Sequence, residues 1–211
     1  MFTLGALGRP SSGASGIAAG AAISWTWNSA DKSANMGLSG SDRTAQASNT
    51  AGNGVRGTVG QTAGNHYYEF HFDANLSSSN NEWQLGFCDS TKDLTAETGS
   101  GNWAQIRQRS SPAAQSAGIF SPVNGMTAAL NSALQIGSAA IIRIAINRSL
   151  GYAWGSANSG WQGDPAAGTD PNITDIPAGE LFPYFFSFST TPIVTVGPTT
   201  VFRAPAGFLI G

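Results

Sequence analysis

The stretch "HYYEFHFD", His66 to Asp73, decides the architecture. Tyr68, Phe70 and Phe72 fall on one side of an extended chain. Tyr67, Glu69, His71 and Asp73 fall on the other, by the two-residue period of a strand. One side is aromatic throughout and the other is mostly ionisable, the pattern of a sheet with one face on a core. A helix would scatter the same residues around its circumference.

Working outward, the same period recurs. In "EWQLGFCD", Trp83, Leu85 and Phe87 alternate with Gln84, Gly86 and Cys88. In "AAIIRIAIN", Ile142, Ile144 and Ile146 face one way, while Arg143 interrupts the other face. "GYAWG" pairs Tyr152 with Trp154, "ELFPYFFSFS" and "PIVTVG" supply two more strands, and "VFRAPAGFLIG" closes the chain. Trp25 and Trp27 share a face and are expected to seal an N-terminal strand to the sheet. The one helix-like window, "MTAALNSAL" from Met126 to Leu134, is too short to stand alone, so it predicts at most a turn of helix. Short strands without helical crossovers predict an all-β, antiparallel two-sheet sandwich. The sandwich is assigned to residues 23–211, after a Gly, Ala and Ser-rich tethering arm at 1–22.

The totals bound the function. The chain has 211 residues, 41% of them hydrophobic, which is enough for a sizeable core. Only 10% are charged, against about 25% in an ordinary soluble domain, so water meets mostly Ser, Thr, Asn, Gln and Gly. A net charge of −2, with Lys32 and Lys92 the only lysines, predicts no nucleic-acid partner. The single cysteine, Cys88, excludes an internal disulfide and a thiolate zinc cluster, and its strand predicts a buried, inert thiol. No apolar run is long enough for a membrane span. The N-terminus lacks a basic segment before its apolar residues, so no secretory signal is read. No cofactor or metal site is predicted.

"VRGTVGQTAGNHYYEFHFD" followed by "NEWQLGFCDSTKDL" resembles the front half of a SPRY domain, whose "G-x-x-Y-x-E" strand leads to a second strand and a polar loop. "IRIAINRSLGYAWGSANSGWQGDPAAGTD" looks like that family's hairpin, "GELFPYFFSF" its "L-x-P" strand and "FRAPAGF" its closing strand. "ISWTWNSADKSANMGLSGSDRTAQAS", with the late "GWQGDPAAGTD", is similar to SPRY-like proteins of tailed bacteriophages. The chain departs from the pattern at Asn147, where Asp is commoner, and at "ANSG", where a plain "NG" turn is usual. The segment from Thr98 to Gln135 is also longer than the pattern requires. The resemblance implies two sheets in a concanavalin-like jelly roll, loops gathered as a recognition surface, and binding without chemistry.

Trp161 stands among turn residues, with Gly160 and Gly163 expected to supply positive φ. It is either a lid over the core edge or a ring displayed for binding. Trp103, Arg107 and Arg109 lie in a polar connection where an aromatic face and Arg forks would suit sugars and carboxylates. The alternative is that the two arginines only solvate an extra strand. Glu69, His71 and Asp73 share a strand face about 6.5–7 Å apart, but no second strand offers them a catalytic or ligating partner. A solvated or lightly buried outer face, with Glu69 bonded to a neighbouring loop, is the plainer reading. No "G-x-S-x-G" elbow or phosphate loop is present, and Glu82, Glu97 and Glu180 set no carboxylate pair.

These readings predict a bacteriophage virion protein of the tail, baseplate or capsid decoration, made in the host cytoplasm and not an enzyme. Its loops would meet a host surface glycan or protein. Its arm, through Phe2, Leu4 and Leu7, would dock it on other virion proteins in a homo-oligomer or larger assembly. A purely structural decoration protein and a polysaccharide hydrolase are the alternatives.

Overall fold

The computed structural model describes residues 24–72, 82–97, 101–111, 114–121, 125–129, 140–157, 160–161 and 163–211, with the backbone alone at 107–111, 114–121, 125–129, 140 and 157. The arm, with Phe2, Leu4 and Leu7, lies outside them, as does Asp73. The described residues form fourteen strands and no helix.

One sheet runs in the order β1 (Trp27–Lys32), β4 (Asn53–Gly57), β12 (Phe182–Ser187), β6 (Trp83–Cys88), β7 (Trp103–Ser111), β8 (Ala114–Ser121) and β9 (Gly125–Ala129). The other runs β11 (Tyr152–Ala157), β10 (Ala140–Asn147), β5 (Asn65–Phe72), β13 (Ile193–Thr195), β3 (Thr44–Ala47) and β2 (Met36–Ser39). A short β14 (Leu209–Ile210) pairs with the start of β5 in parallel, and every other ladder is antiparallel. The all-β, two-sheet sandwich read from the sequence is thus the observed fold.

The alternation does what it predicts. Tyr68, Phe70 and Phe72 of β5 meet Trp83, Leu85 and Phe87 of β6 and Ile142, Ile144 and Ile146 of β10 in one inter-sheet core. Trp25 and Trp27 stand edge to face at 5.1 Å, and both are fully buried against Phe70. Hydrogen bonds from Trp27 N to Asp42 O and from Thr58 N to Thr26 O tie this entry segment to both sheets.

Two expectations are corrected and one open alternative is decided. The described part of the helix-like window, residues 126–129, lies in β9, paired with β8. Alanine tolerates both geometries, and the ladder with β8 decides between them. Of the two readings of the connection bearing Trp103, Arg107 and Arg109, the structure has the extra strand, β7, and the long segment adds three strands to the first sheet. The β10–β11 hairpin turns at Arg148–Gly151, not at "ANSG": Leu150 N donates to Asn147 Oδ1 and Gly151 takes φ 69°.

Candidate functional site

Each sheet has an outer face, and neither is simply solvated. On the second sheet, Tyr67, Glu69 and His71 of β5 point away from the inter-sheet core. In the ladder Arg143 lies opposite Glu69, and Trp154 lies opposite Ala145. The C-terminal residues 198–211 cross this face as a strap. Phe208, with the partly buried Phe202, Ala204 and Ile210, packs on Tyr67, Ala145 and Trp154 as a second apolar cluster. The strap has no strand alternation to announce it, because Pro205 and Gly207 interrupt the pattern of the expected closing strand.

Glu69 holds the strap. Its side chain is fully buried, and each carboxylate oxygen accepts two hydrogen bonds. Oε1 takes His71 Nε2 at 2.9 Å and the Val201 amide at 2.6 Å; Oε2 takes the Tyr67 hydroxyl at 2.8 Å and the Phe202 amide at 3.0 Å. Burial would raise the Glu69 carboxyl, but the bonds from His71, the two strap amides and Tyr67 outweigh it and hold it below the ordinary carboxylate range. Burial, with the Glu69 charge adding to it, pushes the Tyr67 phenol far upward. His66 points to the opposite side of β5, with Nε2 2.7 Å from Ala63 O. A carboxylate so engaged and so enclosed anchors backbone; it has no free lone pair for substrate.

Beside it lies a stacked cation. The Arg143 guanidinium sits 4.3 Å from the Phe202 ring and 5.0 Å from the Trp161 ring, with Nη2 donating to Ser156 Oγ at 2.6 Å. Burial lowers the Arg143 pKa, while the nearby Tyr67 and Glu69 oppose that shift. Trp161 also meets Tyr67 edge to face at 6.2 Å, which leaves its indole half-buried.

The turn that follows Trp161, from Gly163 to Asp170, is closed by its own hydrogen bonds. Asp164 and Thr169 exchange two backbone hydrogen bonds, Gly168 N donates to Pro165 O, and Trp154 Nε1 donates to Thr169 O at 2.9 Å. Gly163 takes φ 84°, and a Cβ there would collide with the Asp170 carbonyl. Gly160, also expected at positive φ, does not take it.

The outer face of the first sheet is covered by the loop after β6. Arg56 donates to both oxygens of Asp31, at 2.6 and 2.8 Å, and to the carbonyls of Asp89 and Lys92. Lys92 Nζ is caged by the carbonyls of Asp93, Ala96 and Glu97 and lies 5.8 Å from the Phe186 ring. Cys88 is buried below, its thiol pushed up to about 12 by burial. Trp103 packs half-buried on the cluster of Cys88, Tyr184 and Phe186. In register, Arg107 lies opposite Gln84 and Gly118, and Arg109 opposite Ser116. Positions 103, 105, 107 and 109 share one side of β7 by the two-residue period.

The structure therefore does not bring the sequence candidates together. Trp161 stands on the outer face of one sheet, and Trp103 on that of the other. Arg143, Phe202 and the strap went unrecognised; the one signal for them was a lone arginine in a strand otherwise made of Ile, Ala and a terminal Asn. Among the described residues no three His, Cys, Asp or Glu side chains converge as a metal site. No described helix is long and apolar enough to cross a membrane.

No protein-family model matches the sequence, and no curated protein matches it. Among solved structures, the SPRY domain of human HERC1 superposes with a TM-score of 0.62 over 84% of this chain and 99% of that one, at 14% identity. The TRIM65 PSpry domain gives a TM-score of 0.48 at 13% identity, over 82% of this chain and 91% of that one. The chain has the SPRY-domain fold.

Proposed function

We propose that this chain is a non-catalytic binding module of a bacteriophage virion, carried on the tail, baseplate or capsid, and that it contacts a host surface glycan or protein. The observation that carries the reading is Trp161. Its half-exposed indole is stacked on Arg143, edge-on to Tyr67, and is followed by a turn closed by the paired backbone bonds of Asp164 and Thr169. A pre-ordered aromatic of this kind binds without first losing conformational entropy. The SPRY fold, the low charge and the phage-type motifs support the setting. Trp103, Arg107 and Arg109 on β7 form a second candidate contact row on the opposite face. The hydrolase alternative loses Glu69 as its candidate base, since that carboxylate is enclosed and fully hydrogen-bonded.

The test is binding to host cells and to a glycan array by the wild type, Trp161→Ala and Trp103→Ala. Loss of a displayed aromatic anchor is expected to weaken binding roughly tenfold or more. Equal binding by wild type and Trp161→Ala removes that ring from the site. No binding by any form leaves the purely structural reading.

A further inference from the structure

The Glu69 clamp has the parts of a switch. Its two strap bonds come from consecutive amides, Val201 and Phe202, and so depend on a single carboxylate charge. The strap's other backbone tie to the sheet is slight: β14 is two residues long, with Gly211 N donating to Tyr67 O. Val201 and Leu209 leave most of their side chains exposed. By contrast, β5 and β10 pair continuously from Asn65↔Asn147 to Phe72↔Ala140. A segment with few backbone bonds and exposed apolar side chains opens at lower free energy than the sandwich beneath it.

We propose that residues 198–211 form a latch that acid opens: protonation of Glu69 frees the amides of Val201 and Phe202 and uncovers the aromatic outer face of the second sheet. Around the carboxylate, β5 contributes Tyr67 and His71 and β10 contributes Arg143, while β11 and Trp161 bring no charge. The strap itself adds one charged side chain, the exposed Arg203. Neutral Glu69 can no longer accept four hydrogen bonds with full charge, and Arg143 is left as a buried cation without its nearest anion. Because the folded carboxyl titrates below its free value of about 4.3, the clamp is complete above that pH. It is lost as pH falls through the lower folded value.

Hydrogen exchange of the full chain between pH 3 and 7, corrected for intrinsic exchange chemistry, reads the latch directly. Protection at Val201, Phe202 and Gly211 is expected to fall about tenfold or more as the pH drops through the lowered Glu69 value, with Ile142 to Ile146 still protected. Glu69→Gln should leave the strap open at pH 7 with a flat profile. His71→Ala, which removes one donor from the carboxylate, should move the opening to higher pH. Strap protection that follows the core at every pH overturns the proposal, as does a Glu69→Gln protein with the wild-type profile. If Glu69→Gln fails to fold, an unshifted midpoint in His71→Ala overturns it equally.

Discussion

Single residues in this sandwich are fixed by what lies within a few ångströms. At Gly86 a Cβ would strike the Ala104 carbonyl and the Gln105 Cα, because β6 and β7 approach closely there. The obstruction is backbone on a central ladder, so it cannot swing aside. Gly86→Ala is expected to destabilise the protein by about 1–3 kcal/mol, the usual cost of overpacking. Urea unfolding measures it, and a midpoint equal to wild type would show that the ladder can widen at no cost. Glu69 illustrates the opposite case, a residue chosen for its charge. Only an ionised carboxylate can accept from two amides, a phenol and an imidazole at once.

At the level of elements, the loop from Asp89 to Glu97 is ordered by a lysine used as an internal cation. Three carbonyls converge on Lys92 Nζ, and burial lowers its pKa. Lys92→Met keeps much of the stem but removes the ammonium on which those carbonyls converge, which is expected to cost roughly 1–3 kcal/mol. Proteolysis confined to residues 89–97 is the measurement, and wild-type resistance would assign the loop's order to Arg56 instead. The same scale shows what was legible in the sequence. Strands β5, β6, β10 and β12 each carry a two-residue aromatic or aliphatic period, so their existence and inward faces could be read directly. Strand β7 was legible only as an alternative, and β8 and β9 were not. Their few large apolar residues, Trp103, Ile106, Ile119, Phe120 and Met126, set no two-residue period, and what makes them strands is the ladder begun by β6. The strap was hidden for a related reason. "PTTVFRAPAGFLIG" has no period of its own, and its course follows from a distant carboxylate and the aromatic face built by Tyr67 and Trp154. Trp161 was identifiable as an oddity among turn residues, but its partners Arg143 and Phe202 lie 18 and 41 positions away in the chain.

For the molecule as a whole, the inter-sheet core draws on residues from Trp25 to Ile210. Its first strand is fixed by Trp27, whose amide reaches Asp42, and by Thr26 and Thr58, which bridge to each other. The sandwich thus has its own closure at the point where the arm joins it. Truncation at residue 22 is therefore expected to shift the melting temperature by less than about 2 °C, a stability change of a few tenths of a kcal/mol in a domain of this size. If the arm docks the domain through Phe2, Leu4 and Leu7, the truncated protein folds but is not taken up into particles. Calorimetry of the truncated chain and particle incorporation by the same protein separate the two roles. A large drop in melting temperature would mean that the arm completes the fold. Incorporation at the wild-type level would mean that docking belongs to the sandwich itself, whose half-buried Trp161 and Trp103 faces then become the surfaces to mutate.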